Sequence, residues 1–292
     1  MNYAATLRDR IKQRPLLLVG AASPICVLQM YGKGFGAAYV SGAAVSTMLG
    51  RQDTGHIKLK EMAILIKQMM EVGDLPLIVD CDTGLPSGKR SKENEYGAII
   101  KTVTEIERAG AAAIQIEDQV HGDKLCGHSD GKKIIGRETM EMKIKLACLS
   151  RKNKDTMIIV RTDARAIEGM QGAIRRAMAY RDAGADAIFP EALESLTEFY
   201  SFRNHITGPL LANLAEHGKT PSHIFYRQLF DMGYQMALIP ATPTRAMLKT
   251  HEDALNEILK RGGMQQSVNE KKILTRDEIS QLIKNTSKPY KP

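Results

Sequence analysis

Residues 111–118 read Ala-Ala-Ala-Ile-Gln-Ile-Glu-Asp, an apolar run that stops abruptly at two acidic side chains. Amphipathic stretches with helical spacing lie on both sides of it, at residues 95–108 and 137–152. A short apolar run between two such stretches is typical of a parallel strand that helices cover on both faces. The region therefore predicts one β/α unit of a parallel sheet.

The same period extends from Pro15 to about Pro240. The apolar runs predict eight strands, at residues 16–20, 37–40, 75–80, 112–117, 157–161, 187–189, 210–213 and 236–240. Eight strands alternating with helices favour a (β/α)8 TIM barrel of the α/β class, with a doubly wound open sheet as the alternative. Past Thr244 the chain is again helical, at residues 246–261 and 275–284, and ends in a basic, Pro-containing tail. We expect residues 1–245 to form the catalytic barrel, and residues 246–292 to be a helical extension and basic tail of the same domain.

Composition limits the possible functions. The 292 residues carry a net charge of +8, but aromatic residues make up only 5% and Trp is absent. A nucleic-acid binder is expected to combine positive charge with stacking aromatics, so we expect an anionic small-molecule partner instead. The four cysteines are scattered and indicate neither a disulfide framework nor a zinc site. There is no cleavable apolar segment at the N-terminus and no membrane-spanning run, so a cytoplasmic location without membrane contact is expected.

Polar side chains end six of the predicted strands, and in a barrel these ends converge on one face. They are Ser41, Asp80 with Asp82, Glu117, Arg161, Glu191 and Asn213. Each alone has an ordinary explanation as a cap or turn residue. Their shared position at the same end of successive strands predicts one polar site.

The sequence Asp80-Cys81-Asp82 is the sharpest of these signals. Side chains alternate along a strand, so the two acids share one face and Cys81 points to the other. Converging buried carboxylates repel each other, and a hard dication such as Mg²⁺ relieves that cost. With Glu117 on the next strand, the pattern predicts a metal site. A cluster held only by hydrogen bonds is the alternative.

A second signal lies about eight residues beyond Glu117, where Lys124, Cys126, Gly127 and His128 occur within five residues. Positive neighbours lower the pKa of a thiol towards neutrality, and glycine makes the loop pliable. This indicates a mobile cysteine that carries a proton. An incidental loop cysteine and a covalent nucleophile are the alternatives.

These motifs together resemble the isocitrate lyase/phosphoenolpyruvate mutase superfamily, and within it the methylisocitrate lyases. The resemblance covers residues 5 to 285 approximately and rests on segments 39–43, 80–84, 116–119, 124–128, 189–192 and 212–218. It implies a modified barrel whose last helices are swapped between subunits, in a homotetramer built as a dimer of dimers. It also implies a di- or tricarboxylate substrate.

The resemblance assigns roles to individual residues. Mg²⁺ or Mn²⁺ would be held by a set of acids, namely Asp82 directly, Asp80 and Glu117 mostly through water, and Asp53 nearby. The substrate would be bound by a second set, namely Ser41, Gly42, Ala43, Asp82 and Arg161 at its α-oxyacid half, and Gly127, His128, Glu191 and Asn213 at its other half. Cys126 is the expected proton donor, with Lys124 and His128 beside it, and Tyr39 is a candidate base.

The reaction implied is cleavage of a C–C bond, with 2-methylisocitrate yielding pyruvate and succinate. Three departures from the family pattern leave the substrate open. Leu125 stands where the family usually carries Arg or Lys, residues 82–88 read Asp-Thr-Gly-Leu-Pro-Ser-Gly where the family usually reads Asp-Thr-Gly-Phe-Gly, and residues 86–95 form a longer, basic stretch. Dimethylmalate lyase, oxaloacetate hydrolase, isocitrate lyase and phosphonopyruvate or carboxyphosphonoenolpyruvate mutase-type activities are the alternatives. A non-enzymatic binding protein on the same barrel is a further one.

Overall fold

A computed structural model describes residues 1–55, 57–86, 91–261 and 273–286. Its strands, β1 to β8 in chain order, are Leu16–Ala21, Ala38–Val40, Leu77–Asp80, Ala113–Glu117, Met157–Thr162, Ala187–Pro190, Leu211–Asn213 and Met236–Ile239. Its helices, α1 to α11, are Tyr3–Gln13, Pro24–Gly32, Gly42–Met48, Leu59–Val72, Lys92–Ala109, Arg137–Ser150, Arg165–Asp182, Leu196–His205, Tyr226–Asp231, Thr242–Arg261 and Arg276–Thr286. Residues 87–90 of the basic stretch and residues 287–292 of the basic tail lie outside the described ranges.

The eight strands form one parallel sheet in the order β6-β5-β4-β3-β2-β1-β8-β7. A parallel bridge between Ile188 on β6 and Leu210, just before β7, joins the two outer strands. This contact makes the sheet a nearly closed barrel, which confirms the predicted (β/α)8 architecture and excludes the open sheet. Gly20 is needed where β1 meets the chain after β8, because a Cβ there would lie 1.8 Å from the carbonyl oxygen of Pro240.

Alternation along the strands separates two apolar layers. Outward side chains such as Val79 and Ile114 pack against the surrounding helices. Inward side chains such as Ile78 and Phe189 fill the barrel. Cys81 belongs to the outer layer, as predicted from its place between two inward acids. The strands therefore direct Asp80 into the barrel, while their outward apolar side chains pack against the helices.

Helix α1 closes the end of the barrel that faces away from the carboxyl ends of the strands. Ala4, Leu7 and Ile11, at helical spacing, are buried in the inner apolar layer. Asn2 begins the helix, and its side-chain oxygen accepts a hydrogen bond from the Ala5 amide. Helix α1 and the short helices α3, α8 and α9 were not predicted from the sequence.

Helices α10 and α11 are present where the C-terminal extension was predicted, although α10 begins earlier, at Thr242. The division at residue 245 and the exchange of helices between subunits stay predictions. Within the described residues, no helix combines the length and the apolar character needed to cross a bilayer.

Candidate active site

Three acids converge at the mouth of the barrel. Asp80 ends β3, Glu117 ends β4, and Asp82 lies two residues beyond β3. One carboxylate oxygen from each lies within 4.8 Å of the others, and all three side chains are buried. The sequence therefore placed these acids correctly with respect to one another.

Backbone geometry fixes the position of each acid. Asp80 accepts hydrogen bonds from the amides of Asp82 (3.1 Å) and Gly42 (3.2 Å). A Cβ at Gly42 would lie 3.1 Å from Asp80 Oδ2, so glycine lets the start of α3 approach the carboxylate. Ser41 caps α3 by accepting from the Ala44 amide. Asp82 has a left-handed backbone (φ 48°), a strained state for a non-glycine residue that is concentrated at functional sites.

The electrostatics of this cluster suit a bound dication. Burial and the Asp82 carboxylate raise the pKa of Asp80 to about 6. Burial raises the pKa of Glu117 well above its ordinary value. Among the described residues, neither carboxylate oxygen of Glu117 has a hydrogen-bond donor, and the Arg161 ion pair is long, at 3.4 Å. Buried, poorly satisfied carboxylate oxygens at this spacing fit a hard cation such as Mg²⁺ or Mn²⁺.

Lys124, which lies in the loop after β4, contacts this acid cluster. Its Nζ lies 2.5 Å from Asp82 Oδ1 and 2.7 Å from Asp53 Oδ1. Burial opposes its charge, but Asp82 and Glu117 outweigh that effect and hold the pKa of Lys124 well above its ordinary value. Asp53 lies outside the three-acid cluster and contacts Lys124 instead. The metal-ligand role expected for Asp53 is therefore not matched by a place among the clustered acids.

The segment from residue 120 to residue 135, called the cysteine loop below, covers the barrel mouth. Gln119 fixes its first half, because the side-chain amide both donates to and accepts from the backbone of Leu125 at 3.0 Å. Gly127 lies directly against the site: a Cβ there would be 2.3 Å from Arg161 Nη2. Cys126 is exposed but lines the cavity. The loop thus places the thiol at the edge of the site.

His128 completes the contact between this loop and the far side of the barrel. Its Nε2 lies 3.3 Å from Asn213 Nδ2 and 3.4 Å from Glu191 Oε1. Burial lowers the pKa of His128, so the imidazole is neutral at pH 7. The cationic neighbours expected beside Cys126 are thus engaged elsewhere: Lys124 with Asp82, and a neutral His128 with Glu191.

Arg161, which lines the cavity, is held by Asp163 and lies within ion-pair distance of Glu191 and Glu117. Its Nε and Nη2 donate to Asp163 at 2.9 Å each, and its Nε lies 3.3 Å from Glu191 Oε2. The guanidinium also lies over the Phe189 ring, 5.6 Å from its centroid. A fixed, partly neutralised guanidinium at this depth can bind a carboxylate in a defined orientation.

Tyr39 is buried and lines the cavity. Its hydroxyl donates to Gln115 Oε1, and burial together with the Asp80 carboxylate raises the pKa of Tyr39 well above its ordinary value. A base must lose this proton, so the environment opposes the role of base expected for Tyr39. The neutral hydroxyl is suited to donating a hydrogen bond.

These groups surround a cavity of about 160 Å³. All but three of the predicted site residues line it, and the exceptions, which lie in or against the acid cluster, are Gly42, Asp82 and Glu117. Arg245 and Glu216 also line the cavity, but they were given no role from the sequence, and neither was Asp163. Arg245 lies far along the chain in α10 and has no local motif, whereas Asp163 directly follows the strand that carries Arg161.

Comparison with known proteins shows the family to which this chain belongs. The model of the phosphoenolpyruvate phosphomutase family matches residues 7–259. The chain belongs to this family. Its motifs had predicted the isocitrate lyase/phosphoenolpyruvate mutase superfamily, and that prediction is confirmed.

Among its relatives in this family are enzymes named as carbon–carbon lyases. The 2-methylisocitrate lyase of Aeropyrum pernix is 43% identical over 95% of this chain and 86% of its own length. That of Bacillus subtilis is 38% identical over 92% of this chain and 84% of its own length. A crystal structure of 2,3-dimethylmalate lyase superposes with a TM-score of 0.86 at 26% identity, covering 97% of this chain and 92% of its own. The chain is thus similar to lyases named for two different substrates, 2-methylisocitrate and 2,3-dimethylmalate.

Proposed function

We propose that the protein is a metal-dependent lyase that cleaves 2-methylisocitrate to pyruvate and succinate. The observation that carries this proposal is that a fixed Arg161, the thiol of Cys126 and Asp80, one of the three clustered buried acids, line the same cavity. The 2-methylisocitrate lyase relatives, at 43% and 38% identity, supply the substrate. The substrate class would be a small di- or tricarboxylate.

Mg²⁺ or Mn²⁺ would be held by Asp82, Asp80 and Glu117, and the Glu117 carboxylate, which accepts no hydrogen bond from the described residues, suits such an ion. When bound, the cation would stabilise negative charge on the α-oxyacid half of the substrate. Arg161 would bind the carboxylate of that half, and the backbone of Ser41, Gly42 and Ala43 would surround it. The other carboxylates would face Glu191, Asn213 and the neutral His128.

The reaction we propose is a retro-aldol cleavage. A base accepts the proton of the substrate hydroxyl, the C2–C3 bond breaks, and its electron pair remains on the carbon that becomes part of succinate. Cys126 donates its thiol proton to that carbon and is left as a thiolate. Return of the proton from the base to the thiolate restores the enzyme. Because burial keeps Tyr39 neutral, we propose it as a hydrogen-bond donor and leave the base unassigned.

A substrate panel tests this proposal. (2R,3S)-2-Methylisocitrate, isocitrate, dimethylmalate, oxaloacetate and phosphonopyruvate are each incubated with Mg²⁺ or Mn²⁺, and the keto acid and other products are identified. We expect pyruvate and succinate in equal amounts from methylisocitrate, and none in EDTA. Absence of pyruvate from methylisocitrate would refute the proposed substrate. Preferential turnover of dimethylmalate would instead favour the activity named for the superposed crystal structure.

We also propose that the chain assembles as a homotetramer, a dimer of dimers, in the cytoplasm. Support for assembly comes from apolar side chains exposed on the C-terminal helices: Leu255 and Leu259 on α10, and Ile279 and Ile283 on α11. Light scattering coupled to size-exclusion chromatography tests the tetramer. A monomer at micromolar concentration would contradict it.

A further inference from the structure

The cysteine loop contains a buried lysine that the mechanism above does not use. Only 1% of the Lys132 side chain is exposed, whereas the next residue, Lys133, is 69% exposed. Burying an ammonium away from water is strongly unfavourable unless it is paired. The position of Lys132 therefore requires specific partners.

Lys132 finds two partners on different parts of the fold. Its Nζ donates to the carbonyl oxygen of Gly127, five residues earlier in the same loop, and to Asp163 Oδ1 at 2.8 Å. Lys132 thus joins the backbone next to Cys126 to the residue that follows β5.

Asp163 is a rigid anchor for this contact. It is fully buried, its backbone amide donates to Asp118 Oδ1 at 2.9 Å, and its carboxylate accepts two hydrogen bonds from Arg161. Burial opposes its charge, but Arg161 and Lys132 outweigh that effect and lower the pKa of Asp163. One ionised carboxylate therefore serves both the cysteine loop and the guanidinium on the cavity floor.

Gly127 lies directly against two side chains of the site. Its Cα lies so close to Arg161 and Glu191 that even a methyl group would overlap both side chains. Gly127 is therefore packed against Arg161 on one side, while its carbonyl is held by Lys132.

We infer that Lys132 is a positioning residue: by joining the Gly127 carbonyl to the Asp163–Arg161 pair, it holds the cysteine loop against the site and keeps Cys126 at the cavity. Losing the ammonium releases the loop without removing any group that contacts substrate. The kinetic consequence rests on the proposed lyase activity, whereas the consequence for the loop does not.

Hydrogen–deuterium exchange on the full-length chain tests this inference directly. In Lys132→Met we expect amide exchange of the peptide covering residues 124–131 to rise about tenfold or more, with exchange of β5 unchanged. In the same variant kcat should fall at least tenfold while KM changes less than threefold, because the substrate ligands remain. Lys132→Gln, which keeps a polar group without the charge, serves if the methionine variant does not fold.

Lys133→Met is the matched control, since that side chain is exposed and pairs with Asp123 across the surface. It should leave both exchange and turnover unchanged. A folded Lys132 variant with wild-type exchange at residues 124–131 would overturn the inference. So would a similar rise in exchange in the Lys133 variant. If exchange rises as expected but the wild-type protein cleaves no substrate of the panel, the proposed function fails and the role of Lys132 in the loop stands.

Discussion

Replacing Gly127 by alanine measures how tightly the cysteine loop must fit the site. A Cβ at this position would lie 2.3 Å from Arg161 Nη2 and 2.6 Å from two carbon atoms of Glu191. Arg161 is fixed by Asp163, and Glu191 is buried, so neither can move far. The loop must therefore withdraw by about 1 Å, a displacement that can reduce turnover about 10²-fold when it misplaces a reacting group.

The assay is pyruvate release from 2-methylisocitrate, coupled to lactate dehydrogenase and followed by loss of NADH absorbance. We expect Gly127→Ala to lower kcat about 10²-fold while the melting temperature stays close to that of the wild type. Gly97→Ala is the control, because Gly97 lies in α5 and a Cβ there meets nothing within 4 Å. It should retain full activity and gain about 0.5–1 kcal/mol of stability. A Gly127→Ala enzyme with kcat within threefold of the wild type would refute the close packing of the loop.

Three further outcomes are expected. Cys126→Ser should keep the fold and metal affinity but lose about 10²-fold or more of kcat, measured by the same pyruvate assay; a near-normal rate would remove the thiol from the mechanism. Tyr39→Phe should lower the free energy of unfolding by about 1–3 kcal/mol in urea titrations, because it removes the hydroxyl donor of the buried Gln115 carbonyl, and should leave the pH dependence of kcat unchanged. An altered pH profile would instead identify Tyr39 as a titrating base. The pKa of Asp80 is raised to about 6, so its contribution to the stability of the metal-free protein is present below about pH 4 and lost as the pH rises through 6. Melting temperatures in EDTA should fall over that interval, and equal pH dependence in wild type and Asp80→Asn would contradict this.

Much of the architecture could be predicted because each strand is a short apolar run that ends in a polar residue. The carboxyl ends of barrel strands meet on one face, so Asp80, Glu117 and Arg161 could be placed together before their contacts were known. Side-chain alternation likewise assigned Asp80 to the inside and Cys81 to the outside. These inferences need only the period of the chain and the closure of the sheet.

The features that were missed depend on contacts between distant segments. Helix α3 is only seven residues long and begins at a glycine, so it has no clear helical period. Helix α1 is mostly polar, and its three buried residues pack against the inner apolar layer, which exists only in the folded barrel. Lys132 reads as a surface lysine beside Lys133, and only the fold brings Asp163 within reach of it. The individual partners of Lys124 and His128 could not be predicted either, because they lie far from the cysteine loop in the sequence and no local pattern pairs them with it.

Because α1 closes the barrel at the end away from the site, it affects how this protein could acquire specificity for new substrates. Ala4, Leu7 and Ile11 hold the barrel together at the end away from the chemistry. Ala215 and His217, by contrast, line the cavity and belong to neither apolar layer. Random libraries confined to such positions at the mouth of the barrel, called the rim, should yield well-folded variants at high frequency. Most substitutions there leave the two apolar layers unchanged. Laboratory evolution towards other acids should therefore begin at the rim.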